Sequence, residues 1–391
     1  MANNVSILMV GINGYGDVYL QALLKRTDVN LAGVVEIAPE RSRFFSKLQA
    51  ERIPIYSTLS AFYEEQQADL AIVCTPIHLH TMHVVEALKH NSCVLCEKPL
   101  TGDSADFSVL DKAVDDSGNW VAVGFNWSFS ETMQAVKRDR MRGVFGKAKQ
   151  LRTLVAWPRN DGYFNRSNWA GKRYAPEGKA VFDSIANNAA AHFLHNMLYV
   201  LGNEIDSCAA IEHVDADLYK ANNIETFDTC AIRVKTTAET NLFFYASHAT
   251  DEEVGPLFDY EFEHATVTYA CQNDTGKVIA SFRDGTKKEY GTLDVNQKEA
   301  LAKLDWCIES IQNNQVAVPC SHETAKAHVQ LIERFREWPV KLFDDNRLFR
   351  LNDQVIVKGL REQLVECYDG SAHLGEEFAP LVQVEKKAKR Q

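Results

Sequence analysis

Two side chains far apart in the sequence are well suited to proton-transfer chemistry. Lys98 follows a short apolar run and precedes Pro99, whose ring restricts the backbone of both residues and so helps to aim the lysine. His192 stands among Ala, Phe, Leu and Met, and the ordinary imidazole pKa of about 6.5 suits a proton acceptor. An ammonium can stabilise a negative charge that develops on oxygen, and an imidazole can accept a proton.

Glycines near the N-terminus form a second feature. The apolar run Val5–Val10 leads into a turn and then a helical pattern, and the turn carries Gly11, Asn13, Gly14 and Gly16. Such a strand–turn–helix lets backbone N–H groups approach a pyrophosphate at the helix N-terminus. Asn13 replaces the middle glycine of the usual motif, and asparagine tolerates the left-handed backbone better than most residues. The segment predicts a dinucleotide site.

An acid at the end of the second apolar run extends this site. Glu36 lies twenty residues after Gly16, where a carboxylate would accept hydrogen bonds from the adenosine ribose. A carboxylate there repels a 2′-phosphate, so we expect NAD, with NADP less favoured. Arg41 is close enough to weaken this preference, and we include it among the cofactor contacts.

The elements that would position these groups alternate along the first 125 residues. Short β-branched runs separated by helical stretches predict a Rossmann-like parallel sheet in an α/β domain, residues 1–125. Longer strand-like segments follow, and they predict an α+β domain with a large, mostly antiparallel open sheet over residues 126–338, including one apolar helix at Ala186–Leu201. Residues 339–391 are predicted to form a C-terminal appendage.

Further polar residues end the predicted parallel strands, at the edge where open α/β sheets bind ligands. We expect cofactor contacts from Thr75, Pro76, His78, Glu97 and Asn126. With the glycine turn, the segments Thr-Pro-Ile-His, Cys-Glu-Lys-Pro and Gly-Phe-Asn resemble the Gfo/Idh/MocA oxidoreductases, the glucose–fructose oxidoreductase and inositol dehydrogenase family. The resemblance extends to about residue 202 and implies that Lys98 lies beside the nicotinamide and the reacting hydroxyl.

The family resemblance also implies a general base on a helix with the pattern Asp-x-Gly-x-His-x-x-Asp. His192 matches the histidine, whereas Asn188 and His195 stand where the pattern has acids. Spacing would place the three along one helix face, and Asp183 is a candidate to polarise His192. We expect Asn187, Asn188 and His195 to contact substrate; a purely structural polar stripe is the alternative.

A polar segment rich in aromatic and cationic residues precedes this helix. It contains side chains that stack on sugar rings or bind hydroxyls and carboxylates, namely Trp157, Tyr163, Arg166 and Trp169. We predict a substrate loop, with a subunit contact or an ordinary packed loop as alternatives. Ser128 stands where the family usually has an arginine, which would move anion recognition to this loop.

Composition narrows the partners. Lys plus Arg number 42 against 53 Asp plus Glu, a net charge of −11, so we expect no nucleic-acid or membrane partner. The nine cysteines and the lack of a recognisable signal segment predict a cytoplasmic protein. The histidines near residue 80 lack the further ligands of a metal site, and none is expected. The open sheet would offer a face for a homo-oligomer, a dimer or tetramer.

The predicted activity is hydride transfer between NAD(P) and a secondary hydroxyl or carbonyl of a polyol substrate: a sugar, cyclitol or sugar acid. Two alternatives use the same scaffold. One is an NAD-dependent glycoside hydrolase with a recycled cofactor, and the other is a non-catalytic cofactor-binding sensor, which the presence of both Lys98 and His192 disfavours.

Overall fold

The computed structural model of the chain describes residues 4–295, 298–315 and 317–371. Within these ranges the chain divides into two compact units. The first consists of residues 4–130 and 298–329, and the second of residues 131–295 and 330–371. The last twenty residues of the predicted C-terminal appendage lie outside the described ranges.

The first unit is built on a six-stranded parallel sheet with the order β3-β2-β1-β4-β5-β6. Its strands are β1 (Val5–Val10), β2 (Val29–Val35), β3 (Ile55–Tyr56), β4 (Leu70–Val73), β5 (Cys93–Cys96) and β6 (Val121–Val123). Its first five helices are α1 (Gly16–Leu23), α2 (Phe45–Ala50), α3 (Leu59–Glu65), α4 (His80–Lys89) and α5 (Phe107–Ser117). The residues of β4 are fully buried, as expected for a parallel strand covered on both faces. The predicted Rossmann-like sheet is confirmed.

The second unit is built on a nine-stranded sheet with the order β14-β13-β12-β11-β7-β10-β9-β8-β15. Only the pairs β7–β10 and β8–β15 are parallel, so the prediction of a mostly antiparallel sheet is confirmed. The strands are β7 (Ala148–Ala156), β8 (Ile211–Lys220), β9 (Thr229–Thr236), β10 (Asn241–Ser247), β11 (Val254–Phe262), β12 (Ala265–Ala270), β13 (Thr275–Phe282), β14 (Lys287–Asp294) and β15 (Val340–Leu342). The helices are α6 (Glu131–Met141), α7 (Asp161–Phe164), α8 (Ala191–Val200) and α11 (Leu360–Gly370), and a hairpin pairs β16 (Leu348–Leu351) with β17 (Gln354–Val357).

Helix α8 is shorter than the sequence predicted. It begins at Ala191, and residues 185–190 form turns, so Asn188 does not share a helix face with His192 and His195. The reason is local, because short amide side chains compete for backbone and side-chain partners and favour turns before a helix. The predicted polar stripe is therefore corrected to two histidines on the helix and one asparagine before it.

Two later helices lie with the first unit rather than the second. They are α9 (Lys298–Gln312) and α10 (His322–Arg334), of which residues up to 329 belong to the first unit. The Trp306 ring lies 5.9 Å from the rings of both Trp120 and Phe129, and the Val123 amide donates to the Cys320 carbonyl at 2.8 Å. This division differs from the contiguous one expected from the sequence. None of the described helices is long and apolar enough to cross a membrane.

The described part of the C-terminal appendage packs onto the second unit. Leu364 of α11 is fully buried in an apolar cluster with sheet residues that include Leu154 and Tyr245. Arg152 on β7 donates to the Tyr368 carbonyl at 3.0 Å and to that of Asp369 at 2.9 Å. The appendage thus covers part of a face that the sequence predicted to be open. The homo-oligomer stays a prediction.

Replacing Leu364 by alanine should destabilise the second unit. A buried leucine lost from such a cluster costs about 2–5 kcal/mol, because apolar contacts are lost and a cavity remains. Thermal melting should show a lower midpoint for Leu364→Ala. Leu351, which is 53% exposed on the same appendage, is the matched control, and Leu351→Ala should melt close to the unaltered protein. Equal midpoints for the two variants would contradict the packing described.

Candidate functional site

The glycine turn has the close backbone approach that a dinucleotide site requires. Gly11 and Gly14 have φ angles of +83° and +62°, in the left-handed region that favours glycine. A Cβ atom on Gly16 would fall 2.2 Å from the Gly11 carbonyl oxygen, so no larger residue fits there. Gly16 also begins α1, whose N-terminal N–H groups and dipole favour an anion. The turn therefore fits a pyrophosphate.

The Glu36 carboxylate is joined to this turn. Its two oxygens accept hydrogen bonds from the backbone amides of Ile12 at 3.1 Å and Ala38 at 3.0 Å. The Asn13 amide donates to the Ala38 carbonyl at 3.3 Å, so Asn13 links the turn to the segment after β2. Arg41 lies exposed in the 3₁₀ turn that follows. The half-buried Glu36 keeps lone pairs that could accept from ribose hydroxyls.

The ends of β4 and β5 are tied by a histidine that the sequence analysis did not place in the site. His80 is buried, and its Nδ1 and Nε2 atoms lie 2.8 Å from the Pro99 carbonyl oxygen and 2.7 Å from that of Thr75. Half-buried Pro76 and His78 belong to the short turn between these contacts. Thr75 and the loop after Lys98 are thus held at one edge of the sheet.

Glu97 and Lys303 form a buried ion pair. Lys303 is fully buried, Glu97 is 8% exposed, and the Tyr19 hydroxyl donates to the same carboxylate oxygen at 2.7 Å. Burial alone would raise the pKa of Glu97, but the Lys303 ammonium and these hydrogen bonds hold it below its usual value. This placement favours a structural role for Glu97 over the cofactor contact expected from the sequence.

The same ammonium organises the end of β6. Lys303 donates to the Asn126 side-chain oxygen at 2.8 Å and to the Gly124 carbonyl at 3.1 Å. The other Glu97 oxygen accepts from the Lys98 backbone amide at 3.2 Å. Lys98 therefore projects from a backbone that the buried pair fixes, and its side chain is half-buried. Sequence reasoning missed Lys303, and a lysine within the apolar pattern of α9 was the available signal.

His328 on α10 is a second neighbour that the sequence did not reveal. It is fully buried, and its ring lies 5.1 Å from that of Phe125. Burial, and then the positive charge of Lys98, lower the pKa of His328 to about 3. The His328 imidazole is thus close enough to Lys98 for the positive charge of the lysine to disfavour its protonation.

In the second unit, Asp183 gathers three donors. Its carboxylate accepts from Arg166 at 2.8 Å, from the Gly171 amide at 2.7 Å and from the Asn188 side chain at 2.6 Å. The polarisation of His192 by Asp183 stays a prediction. Asn188 instead joins the loop of Arg166 to the turn before α8.

The predicted substrate loop is an assembly of rings and guanidinium groups. The Arg166 guanidinium lies 4.2 Å from the Tyr163 ring centroid and 5.1 Å from that of Trp169. The Trp157 ring meets that of Phe193 edge to face at 5.3 Å, which brings the loop to the first turn of α8. Half-buried His192 precedes Phe193 on that turn. The loop residues and His192 are therefore brought together within one unit.

Two predicted substrate contacts are engaged in packing. The Asn187 side chain is buried and donates to the carbonyls of Val181 and Phe182, both at 3.2 Å. His195 is 1% exposed and stacks on the Tyr199 ring at 6.0 Å. The Asn187 hydrogen bonds and the stacking of His195 on Tyr199 favour structural roles for both residues.

A histidine at the end of β10 joins the loop, and sequence reasoning missed it. His248 is 2% exposed, its Nδ1 lies 2.7 Å from the Trp157 carbonyl oxygen, and its ring lies 5.2 Å from that of Tyr163. The sequence offered no signal, since His248 stands 79 residues after Trp169 and reaches the loop only because β10 pairs with β7.

Comparison with known proteins agrees with the two sheets and the cofactor turn. Residues 5–125 match the family model described as an oxidoreductase family with an NAD-binding Rossmann fold, GFO_IDH_MocA. A putative UDP-kanosamine synthase oxidoreductase subunit of Amycolatopsis mediterranei is 26% identical over 200 residues, 51% of this chain and 52% of that protein. Myo-inositol 2-dehydrogenase of Thermotoga maritima is 23% identical over 224 residues, 56% and 62% of the two chains. The chain thus matches about half to three fifths of the length of these relatives.

A solved structure extends the similarity to most of the fold. The WlbA dehydrogenase from Bordetella pertussis, in complex with NADH and UDP-GlcNAcA, superposes with a TM-score of 0.67 at 19% identity, over 85% of this chain and 95% of that one. At this identity the superposition shows a shared fold. Residues 5–125 thus match the NAD-binding Rossmann domain of the Gfo/Idh/MocA oxidoreductase family.

Replacing Lys303 by methionine should destabilise the first unit strongly. Removing one partner of a buried pair leaves an uncompensated charge, at a cost of about 3–5 kcal/mol. The wild-type pair stabilises the fold above the ordinary Glu97 pKa, and this contribution is lost as the pH falls through the lowered value. The difference in stability between Lys303→Met and the wild-type protein should therefore become smaller at acidic pH. The control Glu97→Gln/Lys303→Met should recover much of the melting midpoint, and a single variant as stable as wild type at pH 7 would refute the role assigned to the pair.

Proposed function

We propose that this protein transfers hydride between NAD and a secondary hydroxyl or carbonyl of a sugar, cyclitol or sugar acid. The observation that carries the proposal is the glycine turn joined to Glu36, which offers backbone donors for a pyrophosphate and a carboxylate for a ribose. The relatives named after inositol and UDP-sugar chemistry support a polyhydroxylated substrate.

NAD is the proposed cofactor, and NADP is less favoured. The Glu36 carboxylate would repel a 2′-phosphate. Exposed Arg41 is the predicted cofactor contact whose positive charge would oppose this repulsion. Contacts to the remainder of the cofactor are proposed for Thr75, Pro76, His78 and Asn126. When bound, NAD supplies the hydride acceptor.

The proton chemistry is assigned to two residues of this chain. We propose that the neutral imidazole of His192 accepts the hydroxyl proton. The ammonium of Lys98 is assigned to stabilise the negative charge that develops as the carbonyl forms. Trp157, Tyr163 and Trp169 offer rings for the sugar. The Arg166 of the Asp183–Arg166 pair packs on the rings of Tyr163 and Trp169.

Substitution of Lys98 by alanine should lower turnover by about two to four orders of magnitude, because the charge on the reacting oxygen loses its counter-ion. Turnover is followed as absorbance of reduced nicotinamide with a panel of sugars, cyclitols and sugar acids. NAD binding by calorimetry should persist, which separates lost chemistry from lost folding. Near-normal turnover of Lys98→Ala would sink the assignment. Tightly held NAD with no net reduction, yet release of an aglycone from a glycoside, would favour the hydrolase alternative.

The cofactor preference can be measured without a substrate. Calorimetry should give tighter binding of NAD than of NADP, by about tenfold or more, because of charge repulsion at Glu36. Glu36→Gln keeps a polar side chain of the same size and should narrow this difference chiefly by improving NADP binding. Tighter binding of NADP by the wild-type protein would contradict the argument from Glu36.

A further inference from the structure

The buried His248 carries an acceptor that the protein does not use. A carbonyl oxygen only accepts, so His248 Nδ1 must donate its hydrogen to Trp157 at 2.7 Å. Burial, and then the charges of Arg159 and Arg166, lower the pKa of His248 to about 3, so the ring is neutral near pH 7. Its Nε2 atom is therefore an unprotonated acceptor, and it is buried without a hydrogen-bond partner among the described residues. Such an atom costs free energy unless a ligand or water donates to it.

A positive charge without a carboxylate partner lies beside this ring. The Arg159 guanidinium lies 5.5 Å from the Trp157 ring centroid and 5.4 Å from that of Tyr163, and it donates to the Pro158 carbonyl at 3.1 Å. No Asp or Glu of the described ranges forms an ion pair with it, whereas Asp183 neutralises Arg166. The Arg159 backbone amide donates to the His248 carbonyl at 3.1 Å. The two residues are thus fixed to each other.

Tyr163 joins the two groups into one site. Its ring lies 5.2 Å from the imidazole and 5.4 Å from the Arg159 guanidinium. The site offers one acceptor for a hydroxyl, one uncompensated positive charge and an aromatic face. A ligand that matches all three has a hydroxyl, a single negative charge and an apolar C–H surface.

We propose that the substrate is a sugar acid, whose carboxylate binds Arg159 and whose hydroxyl donates to His248 Nε2. This inference rests on the proposed function and narrows its substrate class. A single uncompensated guanidinium matches the single charge of a carboxylate, in a geometry that arginine favours. His248 is a specificity residue for the hydroxyl, and Arg159 is the residue that distinguishes the acid from the neutral sugar.

Matched ligands test the charge. Calorimetry on the NAD-loaded protein compares D-gluconate with D-glucitol, D-galactonate with D-galactitol, and D-glucuronate with D-glucose. The acid should bind at least tenfold more tightly than its neutral partner in at least one pair. Equal affinities in all three pairs, or no measurable binding of any acid, would overturn the proposal. Tighter binding of D-glucose 6-phosphate than of D-glucuronate would overturn the proposal that Arg159 binds a carboxylate and would favour a phosphate.

Variants of Arg159 test its role. Arg159→Gln should weaken binding of the preferred acid about tenfold or more and leave binding of its neutral partner unchanged. Arg159→Lys should retain part of the preference for the acid because the positive charge remains. Arg138→Gln, on the exposed side of α6, is the matched control and should bind as wild type. Equal loss for the acid and the neutral partner in Arg159→Gln would contradict the assignment.

Two variants of His248 separate the acceptor from packing. Asparagine offers an N–H near the Nδ1 position but no acceptor at Nε2, whereas glutamine places an oxygen near Nε2 and loses the contact to Trp157. Binding of both ligands of the pair should weaken about tenfold in His248→Asn and less in His248→Gln. A structural role would give the opposite order, since only asparagine keeps the Trp157 contact, and melting midpoints check the fold of each.

These binding measurements can fail independently of the proposed activity. Selective binding of an acid without reduction of NAD by any substrate would keep the site and refute the oxidoreductase. Reduction of NAD with neutral sugars, together with equal affinities within every pair, would keep the oxidoreductase and refute the sugar-acid assignment.

Discussion

The buried contact between Glu97 and Lys303 constrains the whole ligand-binding edge of the first unit. It joins α1 through Tyr19, the end of β5, the end of β6 through Asn126, and α9. A charge removed from water must find its partner, so none of these segments can adopt its position alone. The backbone of the Lys98 loop thus depends on a side chain more than 200 residues later in the chain.

Much of the fold was predictable because the responsible patterns are local. Strand β1 has the bounds of the apolar run Val5–Val10 seen in the sequence, since a continuous apolar run suffices to mark a buried parallel strand. Strand β14 has no such apolar run, because its residues are largely polar and exposed at the edge of the sheet. That α9 belongs to the first unit could not be predicted, because contacts between distant segments leave no local pattern.

The candidate site divides in the same way. The turn residues, Glu36 and the rings of the loop could be named from spacing and residue type. Their partners could not be named, since Arg166 and Asn188 both donate to one carboxylate, that of Asp183, across the loop. Arg159 is left with the uncompensated charge, and His248 joins it across the β7–β10 pairing. Which polar group is available to a ligand depends on which others are already satisfied, and that is decided by tertiary contacts.

Helix α11 gives the large sheet an intramolecular cover. Its contact with the sheet is closed by the same chain, so the fraction covered is set by a unimolecular equilibrium and does not change with protein concentration. A cover supplied by a second subunit would be lost on dilution. The apolar residues of this sheet that α11 covers therefore stay buried from water even at low protein concentration.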